Sequence, residues 1–161
     1  MQKITTFLTF NDQAEEAAAL YTSIFNNSKI TSISRYGEGA PVPAGTVITV
    51  SFVLDGQPFS ALNGGPHFTF SEGISLFVHC DTQEEVDGYW EKLTADGGQP
   101  GPCGWLKDKF GVSWQIIPAA LGRLLQRKDP GQAQRVMQAM MSMSKIDIAT
   151  LERAAAGPVP A

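Results

Sequence analysis

The alternation of apolar and polar positions follows the same course twice along the chain. Thr5–Ile24 reads TTFLTFNDQAEEAAALYTSI and Ile74–Leu93 reads ISLFVHCDTQEEVDGYWEKL, so that Asp12 aligns with Asp81. Each copy is an apolar run, an acidic helix start, and a helix that ends in an aromatic and an aliphatic residue. A repeat matched in this way indicates two homologous structural modules within one small chain.

The first copy predicts a β-α-β-β-β module. Ile4–Phe10 is rich in Thr and Phe, which is typical of a strand. Asp12 offers an N-cap with Glu15 three residues further on, the spacing of a capping box at the start of a helix. Three further strands are predicted over Lys29–Tyr36, Thr46–Leu54 and Gln57–Asn63, with a hairpin turn between the last two.

The second copy predicts the same order of elements with a shortened middle. Ile74–Cys80 is a predicted strand, and Asp81 or Thr82 is the predicted cap of the amphipathic helix that follows. A hairpin is predicted from two ranges, Cys103–Lys109 and Val112–Pro118. This copy is therefore one strand short, or has a very short strand near Gln99.

The remainder of the chain predicts helices. Ala119–Arg127 is amphipathic, and Asp129-Pro130 places an N-cap before a proline at the first position of a Met-rich helix. Ser144, with Asp147 three residues on, predicts the cap of a last helix. We therefore predict an α+β fold in a single domain. Its parts are module one over residues 1–66, module two over 67–118 and a helical extension over 119–156.

Composition and charge exclude one class of function. With 161 residues, of which 43% are hydrophobic and 17% are charged, the chain has an ordinary globular composition. A net charge of -4 argues against a nucleic-acid-binding surface. The nearest approach to a basic cluster, formed by Arg123, Arg127 and Lys128, is typical of a solvated helix face.

No membrane segment or export signal is predicted. The chain contains no apolar run of about 18 residues. The N-terminal MQKITTFLTF lacks the long apolar core and the cleavage site of a signal peptide. Cys80 and Cys103 are therefore expected as reduced thiols in the cytoplasm.

Four segments carry a resemblance to a known family: ALNGGPHF (61–68), EEVDGYWEKL (84–93), CGWLKDKFGVSWQIIP (103–118) and KIDIATLERA (145–154). They resemble the PhnB-like group, also described as 3-demethylubiquinone-9 3-methyltransferase-like. That group belongs to the vicinal oxygen chelate superfamily, which includes glyoxalase I, antibiotic-resistance proteins that bind bleomycin or modify fosfomycin, and extradiol dioxygenases. The resemblance implies glyoxalase-like paired β-α-β-β-β modules whose curved sheets enclose a cleft, and usually a homodimer.

The resemblance also implies where a metal would be held. Catalytic members of the superfamily bind a divalent metal, which acts as a Lewis acid, through four side chains from the first and last strands of the two modules. Those positions correspond here to Thr5, Ile74, Gln115 and a residue within Phe59–Leu62. Such a site requires His, Glu or Gln, and only Gln115 qualifies. We therefore expect no metal and no other cofactor.

Two histidines fall outside that set. On the strand Ile74–Cys80, alternation places Leu76 on one face and His79 on the other. The resemblance implies that the face of Leu76 lines the cleft, so His79 is expected to pack toward the helix. His67 follows a glycine-rich turn, from which it would reach the mouth of a cleft. Neither histidine receives a role from the sequence.

Methyl transfer and thiol chemistry have weak support in the residues. Asn63-Gly64-Gly65-Pro66 leads into another strand, so it predicts a tight turn between modules rather than the glycine-rich turn that binds a nucleotide methyl donor. Lys107 follows Cys103 by four residues, but on a strand the two lie ~13 Å apart. A packed thiol is the favoured interpretation of Cys103.

The remaining candidates are apolar, aromatic, hydroxyl and amide side chains of the kind that line a small-molecule pocket. The predicted pocket residues are Thr5, Phe7, Thr9, Phe59, Asn63, Leu76, Trp105 and Gln115. The competing interpretation is that Trp105, Trp114 and Phe110 fill the interior or a dimer interface.

Three hypotheses about function follow. The first is a dimeric, cytoplasmic small-molecule-binding protein of the PhnB-like group, without a metal and without an assigned reaction. The second is a lyase or transferase with a divergent metal site that uses Gln115, His67 and Asn63. The third is an interaction protein whose cleft is filled by its own side chains and whose Met-rich tail docks on a partner.

Overall fold

The computed structural model describes residues 2–126 and 129–157. The chain divides into two compact units, Met1–Thr69 and Phe70–Ala161. Each unit contains one four-stranded sheet, and the described residues include five α-helices, so the predicted α+β class is confirmed. The predicted helix end at Arg127, and the basic pair Arg127-Lys128, lie outside the described residues.

The first unit has the predicted β-α-β-β-β order. Its elements are β1 (Thr6–Phe10), α1 (Ala14–Ile24), β2 (Lys29–Arg35), β3 (Val47–Leu54) and β4 (Gln57–Asn63). The strands follow the order β1-β4-β3-β2, in which β1 runs parallel to β4 and the other neighbours are antiparallel. The β3–β4 hairpin turns at Asp55 and Gly56, which both have a left-handed backbone, as expected for an Asp-Gly pair.

One face of this sheet is covered by α1. Along β3, Val50, Phe52 and Leu54 are buried, while the residues between them are more exposed. The ring centroid of Tyr21, from α1, lies 6.4 Å from that of Phe52. Phe52 in turn stacks on Phe59 of β4 at 5.6 Å. Each fully buried side chain of this size contributes about 1.5–3 kcal/mol to stability.

The start of α1 is held by a residue from the far end of the unit rather than by Asp12. The N-cap is Gln13, whose side chain makes no capping bond. Asn63 Oδ1 instead accepts the backbone N–H of Ala14 at 2.8 Å, and Asn63 Nδ2 donates to Val47 O at 3.2 Å. The predicted Asp12 cap is therefore wrong, because a tertiary contact supplies the acceptor that the helix start needs.

The second unit repeats this topology with a shorter edge strand. Its elements are β5 (Leu76–Cys80), α2 (Gln83–Thr94), β6 (Gln99–Pro100), β7 (Trp105–Lys107) and β8 (Ser113–Pro118). The order β5-β8-β7-β6, with β5 parallel to β8, matches that of the first sheet. The two-residue β6 confirms the very short strand predicted near Gln99. The cap of α2 is Thr82, whose Oγ1 accepts the N–H of Glu85 at 3.2 Å.

A buried carboxylate fixes the hairpin between β7 and β8. Asp108 is only 3% exposed. Its Oδ1 accepts the backbone N–H groups of Phe110 at 2.9 Å and Val112 at 3.0 Å, and its Oδ2 accepts the indole N–H of Trp114 at 2.9 Å. One side chain thus holds both the turn and a core tryptophan, and the three donors offset the cost of burying its polar atoms.

Beyond β8 lies the C-terminal extension, which we define as Ala119–Gly157. It comprises α3 (Ala119–Leu125), α4 (Pro130–Met141) and α5 (Ile148–Ala156). Its helices share a core that contains Leu121, Leu124, Val136, Ile146, Leu151 and Ala155, with Met140 and Met143 packed against it. Among the described residues, no helix is both long enough and apolar enough to cross a membrane.

One of the two caps predicted in the extension is present. Asp129 caps α4 by accepting the N–H of Gly131 at 3.0 Å, which confirms that prediction. Ser144 is not a cap, because the N-cap of α5 is Asp147. The hydroxyl of Ser144 instead donates to Gly101 O at 2.6 Å. A contact with a distant loop has replaced the local one that the spacing predicts.

Replacing Asp108 by alanine is expected to destabilise the fold by about 2–4 kcal/mol, since three donors, two of them in buried contacts, lose their acceptor. Urea denaturation followed by circular dichroism measures the free energy of unfolding. Asp12→Ala is the control: this residue is exposed and acts only through the helix dipole, so its loss should cost less than about 1 kcal/mol. Equal losses in the two variants would contradict the role given to Asp108.

The two cysteines should differ in reactivity. Cys80 is fully buried, and burial, with the charges of Glu85 and Asp81, raises the pKa of its thiol to about 12. Cys103 is partly exposed. Iodoacetamide at pH 8 should therefore modify one thiol per folded chain, counted by intact-mass spectrometry, and Cys103→Ser should abolish that modification. Modification of both thiols at the same rate would show that Cys80 is accessible.

Candidate functional site

The sheet of the second unit has one covered and one open face. The covered face receives α2 and buries Trp114 and Ile116 of β8. The strand register places Trp105 beside Gln115 across β7 and β8, and Gln115 beside Phe77 across β8 and β5. Paired residues project to the same side of a sheet. Trp105, Gln115 and Phe77 therefore lie together on the open face.

A pocket of about 390 Å³ opens at the β6–β7 edge of this unit. It is lined by Glu72, Gln99, Pro100, Gly101, Pro102, Trp105, Leu106, Lys107 and Ser113. All of these residues belong to the second unit. The tryptophan and the two prolines supply apolar surface, and the glutamine, lysine and glutamate supply polar groups. Such a lining is typical of a site that holds a mostly apolar ligand and orients it through a few polar contacts.

An exposed ion pair stands at the rim of the pocket. Lys107 Nζ lies 3.6 Å from Glu72 Oε2, and 46% of the lysine side chain and 67% of the glutamate side chain are exposed. A backbone hydrogen bond at Glu72, followed by the Lys107 ammonium, lowers the pKa of the Glu72 carboxyl, which is therefore ionised at neutral pH. Exposed pairs of this kind add little to stability. Both charges are thus available to a ligand.

The amide of Gln115 is oriented by its own module. Its Nε2 donates to Ser75 Oγ at 3.0 Å. This bond fixes the direction of the amide beside Trp105, its cross-strand neighbour. Gln115 is partly buried and does not itself line the pocket. It adds one oriented polar group next to the apolar wall.

The two faces of β5 are the reverse of the prediction. Leu76 pairs with Trp114 and lies on the covered face. His79 is exposed on the open face, with its ring centroid 4.7 Å from that of Phe77. The predicted packing of His79 toward the helix is therefore wrong, and Leu76 lies apart from Trp105. Alternation divides a strand into two faces but does not identify the face that a helix will cover.

In the first unit the predicted pocket residues are also divided between two faces. Phe7 and Thr9 of β1, and Thr5 before them, lie on the open face, where Phe7 is 57% exposed. Phe59 lies on the covered face, only 5% exposed and stacked within the core. Asn63 holds the start of α1. Phe59 and Asn63 are thus engaged inside their own module, as a core ring and a helix cap, rather than at an open surface.

The glycine-rich turn after β4 continues the strand pairing. The N–H of Gly64 donates to Phe10 O at 2.8 Å. A Cβ on Gly64 would lie 2.6 Å from Thr9 Cγ2, and Gly65 has a φ of +91°, so both positions favour glycine. This geometry is that of a structural turn, as predicted. His67, which follows it, is exposed.

The positions at which the resemblance implies metal ligands do not fit a divalent metal. Thr5 and Ile74 precede their strands, and Ile74 is 78% exposed. Phe59–Leu62 contains no imidazole, carboxylate or amide, which leaves Gln115 as the single amide. Metal sites of this kind require several imidazole or carboxylate donors. Within residues 2–126 and 129–157, no group of three or more His, Cys, Asp or Glu side chains is arranged to hold a metal ion.

Sequence reasoning found only part of the pocket. Trp105 lines it and Gln115 adjoins it, whereas Lys107 and Glu72 are absent from the predicted set. The sequence contains a signal for Lys107, because it lies two residues after Trp105 on one strand and therefore projects from the same face. Glu72 has no comparable signal, since it lies in the loop before β5.

The comparisons with known proteins agree with this architecture. The family model described as 3-demethylubiquinone-9 3-methyltransferase matches residues 2–117. Among solved structures, the chain is similar to the PhnB protein of Bacillus cereus, which carries the same methyltransferase description. The two are 46% identical with a TM-score of 0.66, over 73% of this chain and 100% of that chain. No curated protein matches the chain.

Two more distant structures share the fold. Protein PA1353 from Pseudomonas aeruginosa is 20% identical with a TM-score of 0.60, over 73% of this chain and 98% of that chain. The fosfomycin resistance protein FosX from Listeria monocytogenes is 16% identical with a TM-score of 0.51, over 74% of this chain and 93% of that chain. The chain therefore belongs to the PhnB-like 3-demethylubiquinone-9 3-methyltransferase family.

Proposed function

We propose that this protein binds a small molecule in the pocket beside Trp105, without a divalent metal and with no reaction assigned. The observation that carries the proposal is the pocket itself, about 390 Å³ in volume, with Trp105 and two prolines in its lining. Small-molecule sites usually measure about 300–1,000 Å³ and are mostly apolar. The ion pair between Lys107 and Glu72 supplies polar groups at the rim.

The lining favours a ligand of mixed character. The indole of Trp105 offers a flat apolar surface on which an aromatic or other planar group would stack. Lys107 favours an anionic group, and Glu72 favours a hydroxyl or an amine. The apolar part of such a ligand would provide most of the affinity, and the rim charges would set its orientation.

Binding without a metal is proposed from the chemistry of the donors. A Lewis-acid site needs several anionic or imidazole donors that converge on one point. The corresponding positions offer one amide, that of Gln115. The alternative is a divergent lyase or transferase that uses Gln115, His67 and Asn63. It is less favoured, because the oxygen and the nitrogen of the Asn63 amide both make hydrogen bonds within the first unit.

We also propose that the protein is a homodimer and works in the cytoplasm. Phe7 and Phe77, 57% and 46% exposed, place large rings on the open faces of the two sheets. Exposed aromatic surface of this kind favours burial against a second copy. Cys80 and Cys103 form no disulfide, which suits a reducing compartment.

Trp105→Ala is expected to weaken binding of 8-anilinonaphthalene-1-sulfonate, a planar aromatic anion, about tenfold, because it removes the apolar wall of the pocket. Fluorescence titration measures the affinity. His79→Ala is the matched control, since it deletes an exposed ring from the same open face outside the pocket lining. Its affinity should stay within about twofold of the wild type. Equal affinities for Trp105→Ala and the wild type would place the ligand elsewhere, and no binding by the wild type would favour the interaction-protein hypothesis.

Native mass spectrometry of protein purified without chelator is expected to give a dimer whose mass matches two bare polypeptides. The physical reason is the lack of carboxylate and imidazole donors at the expected metal positions. Gln115→Ala should leave this mass balance unchanged. An additional mass per chain that corresponds to a divalent ion and disappears with chelator would overturn metal-free binding and support the enzyme alternative. A monomer would overturn the homodimer.

A further inference from the structure

The C-terminal extension lies beyond the residues that the family model matches, but it contacts a loop that lines the candidate pocket. The family match ends at residue 117, and α3, α4 and α5 all follow it. Among the described residues of the extension, none lines the pocket. The segment that joins α4 to α5 nevertheless contacts the loop between β6 and β7, residues 101–104. Gly101 and Pro102 of this loop line the pocket, and we call the loop the pocket wall.

Three hydrogen bonds connect this segment to the wall. The backbone N–H of Cys103 donates to Met143 O at 2.9 Å, and the N–H of Gly104 donates to Ser144 O at 2.8 Å. The hydroxyl of Ser144 donates to Gly101 O at 2.6 Å. Gly101 itself lines the pocket. The extension thus makes two backbone hydrogen bonds and one side-chain hydrogen bond to this loop.

The wall has a conformation that needs such support. Cys103 has a φ of +59°, a left-handed backbone that residues with a Cβ rarely adopt. Gly104, with a φ of +85°, is packed so closely that a Cβ would lie 2.7 Å from Ile117 Cδ1 and 3.0 Å from Ile146 Cγ1. Ile146 belongs to the extension. The carbonyl oxygens of Met143 and Ser144 accept the backbone N–H groups of Cys103 and Gly104.

The supporting segment is itself anchored to α2. Gln83 Nε2 donates to Ile146 O at 2.9 Å, and Gln83 Oε1 accepts the N–H of Ile148 at 2.7 Å. Lys145 Nζ lies 2.8 Å from Asp87 Oδ1. All three contacts lie just after Met143 and Ser144 in the chain. The segment therefore connects the pocket wall to α2, a helix of the second module.

We propose that the α4–α5 segment of the extension positions the wall of the ligand pocket, and that Ser144 is its positioning residue. This role rests on the proposed function, because it concerns the same pocket. Because the Ser144 hydroxyl binds Gly101 O, the loop stays in one position, and the pocket keeps its shape before the ligand binds. Preorganisation of this kind lowers the cost of binding and limits the size of ligand that fits.

Ser144→Ala is the test, because it removes the hydroxyl bond to Gly101 and leaves the pocket lining unchanged. Loss of one hydrogen bond should weaken 8-anilinonaphthalene-1-sulfonate binding about three- to tenfold. Amide hydrogen exchange, resolved by NMR, should become several-fold faster at Cys103 and Gly104. Ser144→Thr keeps the hydroxyl and should restore both readouts to wild-type values.

Thr150→Ala is the matched control. It deletes a hydroxyl of the same extension that bonds Asp147 Oδ2 at 2.6 Å, away from the wall. Both readouts should remain at wild-type values. Unchanged affinity and unchanged exchange in Ser144→Ala, while Trp105→Ala still weakens binding, would overturn the role of Ser144 and leave the proposed function standing. Unchanged affinity in Trp105→Ala would overturn the proposed function, and with it the role of Ser144 in ligand binding.

Discussion

Parallel pairing of the first and last strands is the constraint on which each module depends. It joins β1 to β4 in the first unit and β5 to β8 in the second. Two parallel neighbours cannot be joined by a tight turn, so the chain must cross over the sheet between them. The helix after the first strand makes that crossing and covers one face. Because each module has a single such helix, the other face stays open, and the candidate site lies there.

Two polar side chains, one in each module, fix the start of a helix and the turn of a hairpin. Asn63 binds the start of α1 to β3, and Asp108 joins the β7–β8 turn to the indole of Trp114. Asn63 is one of the predicted pocket residues, whereas Asp108 is not. The hydrogen bonds of Asn63 and Asp108 give both side chains a structural role. A buried polar group with all its partners inside the module rigidifies the fold and is not offered to a ligand.

The pocket arises where the second module departs from the first. The edge strand β2 has seven residues, whereas its counterpart β6 has two. After so short a strand the chain turns through Gly101 and Pro102, and this loop becomes a wall beside Trp105. The same loop meets the extension through Ser144. A shortened strand and an added helical segment thus change a plain sheet edge into a concave surface.

The sequence by itself determined the module topology, the short β6 and the family, because these depend on local periodicity, turn residues and matched segments. It also predicted Trp105, which lines the pocket, and Gln115, which lies beside Trp105. Tertiary structure decided which face of each sheet is open, and this separates Phe7 and Trp105 from Phe59 and Leu76. The physical reason is that alternation along a strand is symmetric between its two faces. Only the packing of α1 and α2, and the contacts made by residues far apart in the chain, break that symmetry.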